Sequence, residues 1–186
     1  MYRELLQKAT LYALLAQFDR DLADEARRGG CEHCGGPLHD GRYERKPRGG
    51  PKLPDTYCER LSLCCGRRDC RRRTLPPSCL FFGRRVYWGV VVLVVTALRQ
   101  RRVDGSAGRR VRAFLGVPRR TLERWLVWFE EVFPTTALWR RVRGRIGADV
   151  HDGELPSSLL TAFERAWTEL QESVVACLRL LADGTR

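Results

Sequence analysis

The chain has 186 residues, a length that suits one compact domain or two small ones. Hydrophobic residues make up 44% of the chain, enough to build a core, and the formal net charge is +12. Such a surface attracts polyanions, either nucleic acid or an anionic membrane. The longest apolar run, residues 86–98, has about 13 residues, which is short of the ~20 that a membrane-spanning helix needs.

The positive charge is concentrated in the middle of the chain. Of the 34 Lys and Arg residues, 26 fall between residues 40 and 145, together with 9 acidic residues. The two ends together hold 8 basic and 13 acidic residues, a pattern that a general arginine bias does not explain alone. Residues 1–26 lack the apolar stretch of a signal peptide. We therefore expect a cytoplasmic, nucleoid-associated protein, in which eight cysteines indicate a metal rather than disulfides.

Residues 1–30 are predicted to form an amphipathic packing helix. Gly29 and Gly30 end it. Its apolar residues recur three, four and seven positions apart, at Leu5, Leu6, Leu11, Leu14, Leu15, Phe18 and Leu22.

Residues 31–85 are poor in hydrophobic residues and need a further source of stability. Two cysteine pairs supply it, one with two residues between its cysteines and one with four. Gly35 and Gly36 follow the first pair and let the backbone wrap around a metal. Four thiolates match the tetrahedral preference of structural zinc. The segment is therefore predicted to be a small β zinc ribbon whose Zn²⁺ ligands are Cys31, Cys34, Cys65 and Cys70.

Several residues compete for a place among these ligands. Cys64 could replace Cys65, and Cys58, His33 and His39 are further candidates. We choose Cys65 because a spacing of four residues closes a knuckle more naturally than a spacing of five. A catalytic zinc would keep an open position near a general base, and the sequence has no such His–Glu grouping.

Two basic segments, residues 45–52 and residues 71–73, flank the predicted zinc site. Arginines in them could grip phosphate groups through bidentate hydrogen bonds. The alternative is that both are solvated loops. The candidate nucleic-acid contacts are Arg45, Lys46, Arg48, Lys52, Arg71, Arg72 and Arg73.

Residues 86–134 are predicted to form a three-helix unit that contains a helix-turn-helix. Residues 86–98 have the β-branched content of a strand. We predict a helix there, because the unit needs a buried first helix, and keep a buried strand as the alternative. A second helix spans about 106–115, Gly116 and Val117 form the turn, and Pro118 starts the recognition helix.

The predicted recognition helix has one basic face and one apolar face. A helix start that carries Arg and Thr fits contacts to phosphates and to the major groove. The alternative is a solvated face on a packing helix. The basic face consists of Arg119, Arg120, Thr121 and Arg124, opposite Leu122, Trp125, Leu126 and Phe129.

Residues 135–186 are predicted to form a basic linker and one last helix, at about 157–181. Cys177 is predicted to be a small core residue. Packing of this helix on the N-terminal helix is one interpretation. The other is a coiled-coil seam that makes a homo-oligomer, with seven-residue steps at Leu160, Trp167, Val174 and Leu181.

With these parts located, the chain resembles the zinc-ribbon plus helix-turn-helix proteins of bacterial mobile elements. The matching parts are residues 31–36, 65–73 and 115–125. Such heads occur in many transposases, so the resemblance implies binding to the ends of the element, with a transposase or recombinase as a partner. A metal-dependent transposase also has a catalytic core with spaced acids, whereas Asp149, Asp152 and Glu154 fall in one predicted loop.

The sequence thus predicts a mainly α fold with a small β zinc ribbon. The predicted function is non-catalytic, sequence-preferring binding of double-stranded DNA, accessory or regulatory in a mobile element. No Walker-type loop or Ser/His/Asp set is present, and His151 is expected to be exposed. One alternative is an assembly subunit. Another is an RNA-binding module whose stacking aromatics are Tyr43, Tyr57, Phe81, Phe82 and Tyr87.

Overall fold

The computed structural model describes residues 1–82, 85–101 and 105–183. Within these ranges the chain is mainly helical, and no helix there has both the length and the apolar composition to span a bilayer. The α-helices are α1 (Tyr2–Leu5), α2 (Ala9–Gly29), α3 (Gly89–Gln100), α4 (Gly105–Phe114), α5 (Arg119–Val127), α6 (Ala137–Arg143), α7 (Ser157–Ala166) and α8 (Leu170–Asp183).

Short antiparallel strands lie between α2 and α3. One sheet has the order β1-β4-β5, and β2 pairs with β3 in a separate ribbon. Leu38 pairs with Cys65 and Cys64 pairs with Arg73, so the central strand β4 lies between β1, which follows the first cysteine pair, and β5, which contains Arg73. The strands are β1 (Leu38–Asp40), β2 (Tyr43–Glu44), β3 (Glu59–Arg60), β4 (Leu63–Cys65) and β5 (Arg73–Thr74).

The N-terminal segment is helical as predicted, with a break between α1 and α2. Lys8 has an extended backbone, and the Tyr12 hydroxyl donates a hydrogen bond of 2.9 Å to the Leu6 carbonyl across the break. Leu11, Tyr12 and Leu15 are fully buried, so the predicted apolar face is the face that packs.

The β-branched run predicted at residues 86–98 is helical from Gly89 onward, in α3, which confirms the predicted helix over the strand except at residues 86–88. The side chains from Val90 to Leu98 are all buried, because α4, α5, α7 and α8 pack around this helix. The hydroxyl of Thr96, the polar residue in this stretch, donates to the Val92 carbonyl at 2.7 Å. Burial on every side outweighs the weak helix propensity of valine.

Helices α4 and α5 lie where the sequence predicts a pair of helices. Gly116 ends α4 at φ +61°, a left-handed conformation that favours glycine. The Val117 N–H donates to the Arg112 carbonyl, and the Arg112 guanidinium donates to the Val117 carbonyl at 2.7 Å. The turn between the helices is therefore fixed from both sides. A π-helical turn, Trp128–Val132, continues α5 towards α6.

The predicted single C-terminal helix is wrong, because the chain breaks between α7 and α8. Trp167, 39% exposed, lies in the break, and α7 and α8 pack against each other. Leu160, Val174 and Leu181 are buried within the same chain. The coiled-coil seam is therefore also wrong, and α8 instead contacts α2, as the other interpretation predicted.

Buried side chains form two separate clusters of very different size. The main core takes residues from the predicted segments 1–30, 86–134 and 135–186, and Cys79, Leu80 and Phe81 join it. The buried cluster around the sheet consists of Cys31, Leu38, Leu63 and Cys65. The four-segment division of the chain stays a prediction. We call residues 31–74, which carry the sheet and the second cluster, the cysteine module.

Candidate metal centre and basic surface

Four cysteines meet at one end of the cysteine module. Cys31 and Cys34 follow α2, Cys65 ends β4, and Cys70 lies in the turn after it. Their four sulfur atoms all lie within 4.8 Å of one another. This is the cluster that the sequence predicts.

The sulfur positions match the geometry of a tetrahedral metal site. The Sγ atoms of Cys34 and Cys65 are 3.5 Å apart, and those of Cys31 and Cys70 are 3.8 Å apart. Four thiolates at the usual zinc–sulfur bond length of ~2.3 Å lie about 3.8 Å from one another at the corners of a tetrahedron. The cluster therefore has room for one ion at its centre.

A backbone turn at the first cysteine pair favours binding of a cation. Gly35 has φ +67°, and its N–H donates to the Cys31 carbonyl at 2.7 Å, which closes the first turn. The N–H groups of His33 and Cys34 point at Cys31 Sγ and lower the pKa of that thiol to about 7. Ionised thiolates are the form that binds a metal.

The crowding of the four thiols opposes their joint ionisation. The Arg67 N–H favours the Cys65 thiolate, but burial and the hydrogen bonds with the three neighbouring cysteines outweigh it and raise the pKa of Cys65 to about 12. A cation among the sulfurs removes this conflict, because it compensates the negative charges that otherwise repel one another. The donor set therefore fits a bound metal ion.

The competing ligands lie outside the cluster. Neighbouring residues of a strand point to opposite faces, so Cys64 turns away from the cluster and its Sγ lies 3.6 Å from the Arg71 carbonyl oxygen. Among the described residues, the metal-like group contains neither Cys58 nor a histidine. The His39 imidazole instead lies against Gly66, where an added Cβ would be 2.5 Å from Nε2.

Helix α5 separates its charges from its apolar residues as predicted. Leu122, Trp125 and, in the π-helical turn, Phe129 are buried. The predicted contacts Arg119, Arg120 and Arg124 are exposed, and Thr121 is partly buried. Arg119 forms an exposed ion pair of 2.8 Å with Glu123, and Arg124 donates to Thr121 Oγ1 at 3.3 Å.

The first basic segment, residues 45–52, lies beside α5. The Arg48 N–H donates to the Val86 carbonyl at 2.8 Å, and the Trp88 N–H donates to the Arg48 carbonyl at 3.3 Å. Between these residues, the Tyr87 ring packs edge-on against Trp125 of α5, with the centroids 5.1 Å apart. These contacts hold the Arg48 backbone next to the helix that carries Arg124.

The members of the first basic segment differ in their exposure. Lys46, Arg48 and Lys52 are exposed. Arg45 is partly buried, donates to the Arg85 carbonyl at 2.6 Å and lies 5.5 Å from the centre of the Phe81 ring. Arg45 therefore has a structural role that the sequence did not indicate.

The second basic segment, Arg71–Arg73, lies at the cysteine cluster. All three side chains are exposed, and the Arg72 carbonyl accepts from the Cys65 N–H at 2.9 Å. Among the contacts of the described residues, those of this segment connect it to β4 and the cysteines rather than to α5.

Asp19 connects α2 to the segment that follows the cysteine module. Its carboxylate is buried and accepts from the Ser78 hydroxyl, from the Cys79 N–H at 2.6 Å and from the Leu80 N–H at 3.4 Å. Burial raises the pKa of Asp19 to about 6. Asp19 falls four positions after the buried Leu15, which places it on the buried face of α2.

Arg60 on β3 is a second buried charge that the sequence did not indicate. Only 8% of it is exposed, and it donates to the carbonyls of Leu61, at 2.9 Å, and Pro76. Asp19 stabilises its charge at longer range. The two charges attract each other across the boundary between α2 and the cysteine module.

Two aromatics predicted to stack on unpaired RNA bases are in the core. Phe81 and Tyr87 are each only 4% exposed. Phe81 stacks on Trp88 with the centroids 5.5 Å apart, and Tyr87 packs on Trp125. The prediction that these two rings stack on bases is therefore wrong, because their faces are already covered.

The acidic residues between α6 and α7 have structural partners. Asp149 pairs with Arg165 at 3.1 Å. Asp152 accepts from the indole N–H of the buried Trp139 at 3.0 Å, and His151 is exposed as expected. These contacts fasten the loop to α6 and α7.

Comparisons of the chain with protein-family models, with curated proteins and with solved structures find no match.

Proposed function

We propose that the chain is a zinc-stabilised, non-catalytic protein that binds double-stranded DNA and prefers certain base sequences. One observation carries the proposal. Arg119, Arg120 and Arg124 stand exposed on α5, whose opposite side is anchored in the core. A rigid helix with exposed arginines is a suitable element to enter the major groove.

The neighbouring basic loop extends this surface. Arg48 is held beside α5 by the backbone hydrogen bonds on either side of Tyr87. In the proposed complex, Arg48, Lys46 and Lys52 contact phosphates, while Arg120 and Arg124 contact base edges. Phosphate contacts position a protein on the duplex, whereas contacts to bases provide sequence preference.

The metal in this proposal is a structural Zn²⁺. Four cysteine sulfurs surround the centre and leave no position for a substrate, which is the arrangement of structural zinc sites. In this role the ion contributes folding free energy to the cysteine module. Arg71–Arg73, beside the cluster, supplies a further phosphate contact in the proposed complex.

The proposed biological setting is a mobile element in the bacterial cytoplasm. It depends on the resemblance of the cysteine pairs and the α4–α5 segment to the DNA-binding heads of such elements. The chain would then assist a transposase or recombinase at the ends of the element. Sequencing of DNA that the protein retains from fragmented genomic DNA tests this setting, which predicts enrichment of element ends.

The decisive experiment is fluorescence anisotropy with a selected duplex and a random duplex. Each base-contacting arginine accounts for about 1–3 kcal/mol of discrimination. Arg120→Ala and Arg124→Ala should therefore weaken binding to the selected duplex about tenfold or more, and weaken binding to random DNA less. Arg48→Ala should weaken binding to both duplexes equally. Arg165→Ala, which removes an exposed arginine of α7, is the matched control.

Two outcomes would contradict the proposal. One is the absence of binding to any duplex at low salt, where phosphate contacts are strongest. The other is an equal loss of affinity for the Arg120 variant and the Arg165 variant, which would mean that only net charge matters. Competition with single-stranded RNA completes the test, because an RNA-binding module would prefer the single strand.

A further inference from the structure

A cavity of about 290 Å³ lies where residues 75–82 and 85, which follow the cysteine module, meet the π-helical turn, α6 and α8. Aromatic rings form one wall, with Phe82 and Trp128 edge-on to each other at 5.3 Å between centroids. Leu138 of α6 and Leu181 of α8 lie on the apolar remainder of the lining. The cavity is small enough to enclose one ring-sized molecule.

A guanidinium group lines this apolar cavity. The Arg85 Cζ atom lies 4.1 Å from the centre of a Trp128 ring and 5.3 Å from that of Phe82. Burial lowers the pKa of Arg85, and within the described residues no carboxylate contributes to its charge balance. Its backbone is held in place, because its carbonyl accepts from Arg45.

The N–H groups of Arg85 are available to a ligand. The described side-chain hydrogen bonds include none that Arg85 donates, and its nitrogen atoms are not among the inaccessible unpaired atoms. An arginine stacked on an indole keeps its N–H groups in the plane of the guanidinium, where they match a phosphate or carboxylate. A partly buried charge without a counter-ion costs free energy, and a bound anion would offset that cost.

Two further features distinguish this cavity. Trp128 is the first residue of the π-helical turn, and such turns occur often at functional sites. Arg60 also lines the cavity and brings a second positive charge to it. The site thus combines an aromatic wall with two cations.

We propose that this cavity is a binding site for a small aromatic anion, a molecule with one planar ring and a phosphate or carboxylate group. The ring occupies the space beside Phe82 and Trp128, and the anionic group accepts hydrogen bonds from Arg85. This site does not depend on the proposed DNA binding, because Arg85 belongs to neither basic segment nor to α5.

Calorimetry with phenyl phosphate and benzoate tests the site, with inorganic phosphate and phenol as partial ligands. The proposal expects a ligand with both ring and anion to bind with a stoichiometry of one, and more tightly than either partial ligand. Arg85→Gln should weaken binding about tenfold or more, because it removes a hydrogen bond to a charged group. Arg179→Gln is the matched control, since Arg179 also lies over a ring, 4.4 Å from that of Phe18, outside this cavity.

A second variant distinguishes the contribution of the cavity to binding from that of the Arg85 charge. Leu138→Trp fills the space while Arg85 remains, and it should abolish binding of phenyl phosphate and benzoate. The unmodified chain provides an independent measurement, because the indole N–H signal of Trp128, assigned by its loss in Trp128→Phe, should shift on titration. Equal affinity of the Arg85 and Arg179 variants, or of phenyl phosphate and inorganic phosphate, would overturn the proposal, as would an unmoved Trp128 signal.

Discussion

The main core and the cysteine module are stabilised in different ways within one chain. The main core combines long helices with fully buried side chains such as Leu93, Phe129 and Trp139. The cysteine module has short strands of two or three residues and a buried cluster of which two members are themselves cysteines. A helix core is stabilised by burial of apolar area, whereas strands this short need another source of free energy.

This difference matters for function because the proposed DNA surface draws on both regions. Helix α5 depends on the main core through Trp125. Arg71–Arg73 depends on β4 and on the cysteine cluster. The two regions should therefore respond to different perturbations, and each response can be measured separately.

Removal of the metal proposed for the cysteine cluster is expected to have the largest effect. Structural zinc sites in zinc-finger peptides have apparent binding free energies of roughly 10–16 kcal/mol. A strong chelator should unfold the cysteine module while the main core remains helical. Circular dichroism should then retain most of its helical signal, and hydrogen exchange should become fast only in residues 31–74.

The cysteines supply a matched pair of variants for this experiment. Cys65→Ser removes a member of the cluster, whereas Cys64→Ser changes the adjacent residue, which faces away. Elemental analysis should find about one metal ion per chain in the Cys64 variant and much less in the Cys65 variant. Equal metal content in the two variants would contradict the ligand assignment.

Truncation in the main core should have the next largest effect. Leu93 of α3 is fully buried among the helices around it. Leu93→Ala should lower the free energy of unfolding by about 2–5 kcal/mol, because it removes apolar contacts and leaves a cavity. Urea unfolding followed by the helical signal measures this loss. Metal content should not change, and a parallel loss of metal would show that the two regions are not independent.

Asp19 tests how α2 holds the segment that follows the cysteine module. Its carboxylate holds residues 78–80, and burial raises its pKa to about 6, above the ~3.9 expected of an unfolded chain. The folded protein therefore binds more protons than the unfolded one between about pH 4 and pH 6. The stabilisation that this group provides is complete below about pH 4 and is lost as the pH rises through about 6.

Asp19→Asn removes this titration and keeps an oxygen that accepts hydrogen bonds. Between pH 4 and pH 7, the free energy of unfolding of the natural chain should fall by roughly 2–3 kcal/mol relative to that of the variant. Urea unfolding at a series of pH values gives the two curves. Curves that stay parallel would mean that Asp19 ionises as readily in the folded chain as in the unfolded one.

Local patterns predicted the helices whose ends carry a glycine or a proline. Gly29 ends α2, and Gly116 with Pro118 separates α4 from α5. The break after α7 has no such sequence signal, because residues 166–170 contain neither glycine nor proline. The apolar period continues across it, since α7 and α8 both face the main core. Periodicity alone cannot distinguish one helix from two that share a core.

The candidate site was predictable where its chemistry is local in sequence. The spacing of the cysteines predicted the cluster, and the alternation of side chains along β4 explains why Cys65 and not Cys64 belongs to it. The contacts of Asp19 with residues 78–80 connect positions about 60 apart, and no local pattern reports such a contact. The cavity at Arg85 could not be predicted from the sequence for the same reason, because its lining comes from four separate parts of the chain.

Two glycines give the smallest and most closely matched test of the contrast between the regions. Gly35 in the first cysteine turn has φ +67° and Gly116 in the α4–α5 turn has φ +61°, and a Cβ at either position meets nothing within 4 Å. Alanine at each site therefore incurs the same backbone strain, about 1 kcal/mol, without a steric clash.

If the metal stabilises the cysteine module, Gly35→Ala should weaken metal binding about fivefold and leave urea unfolding of the main core unchanged. Gly116→Ala should lower the free energy of unfolding of the main core by about 1 kcal/mol and leave metal affinity unchanged. Identical behaviour of the two variants in both measurements would mean that the regions unfold as one unit, because equal strain then has an equal effect wherever it is placed.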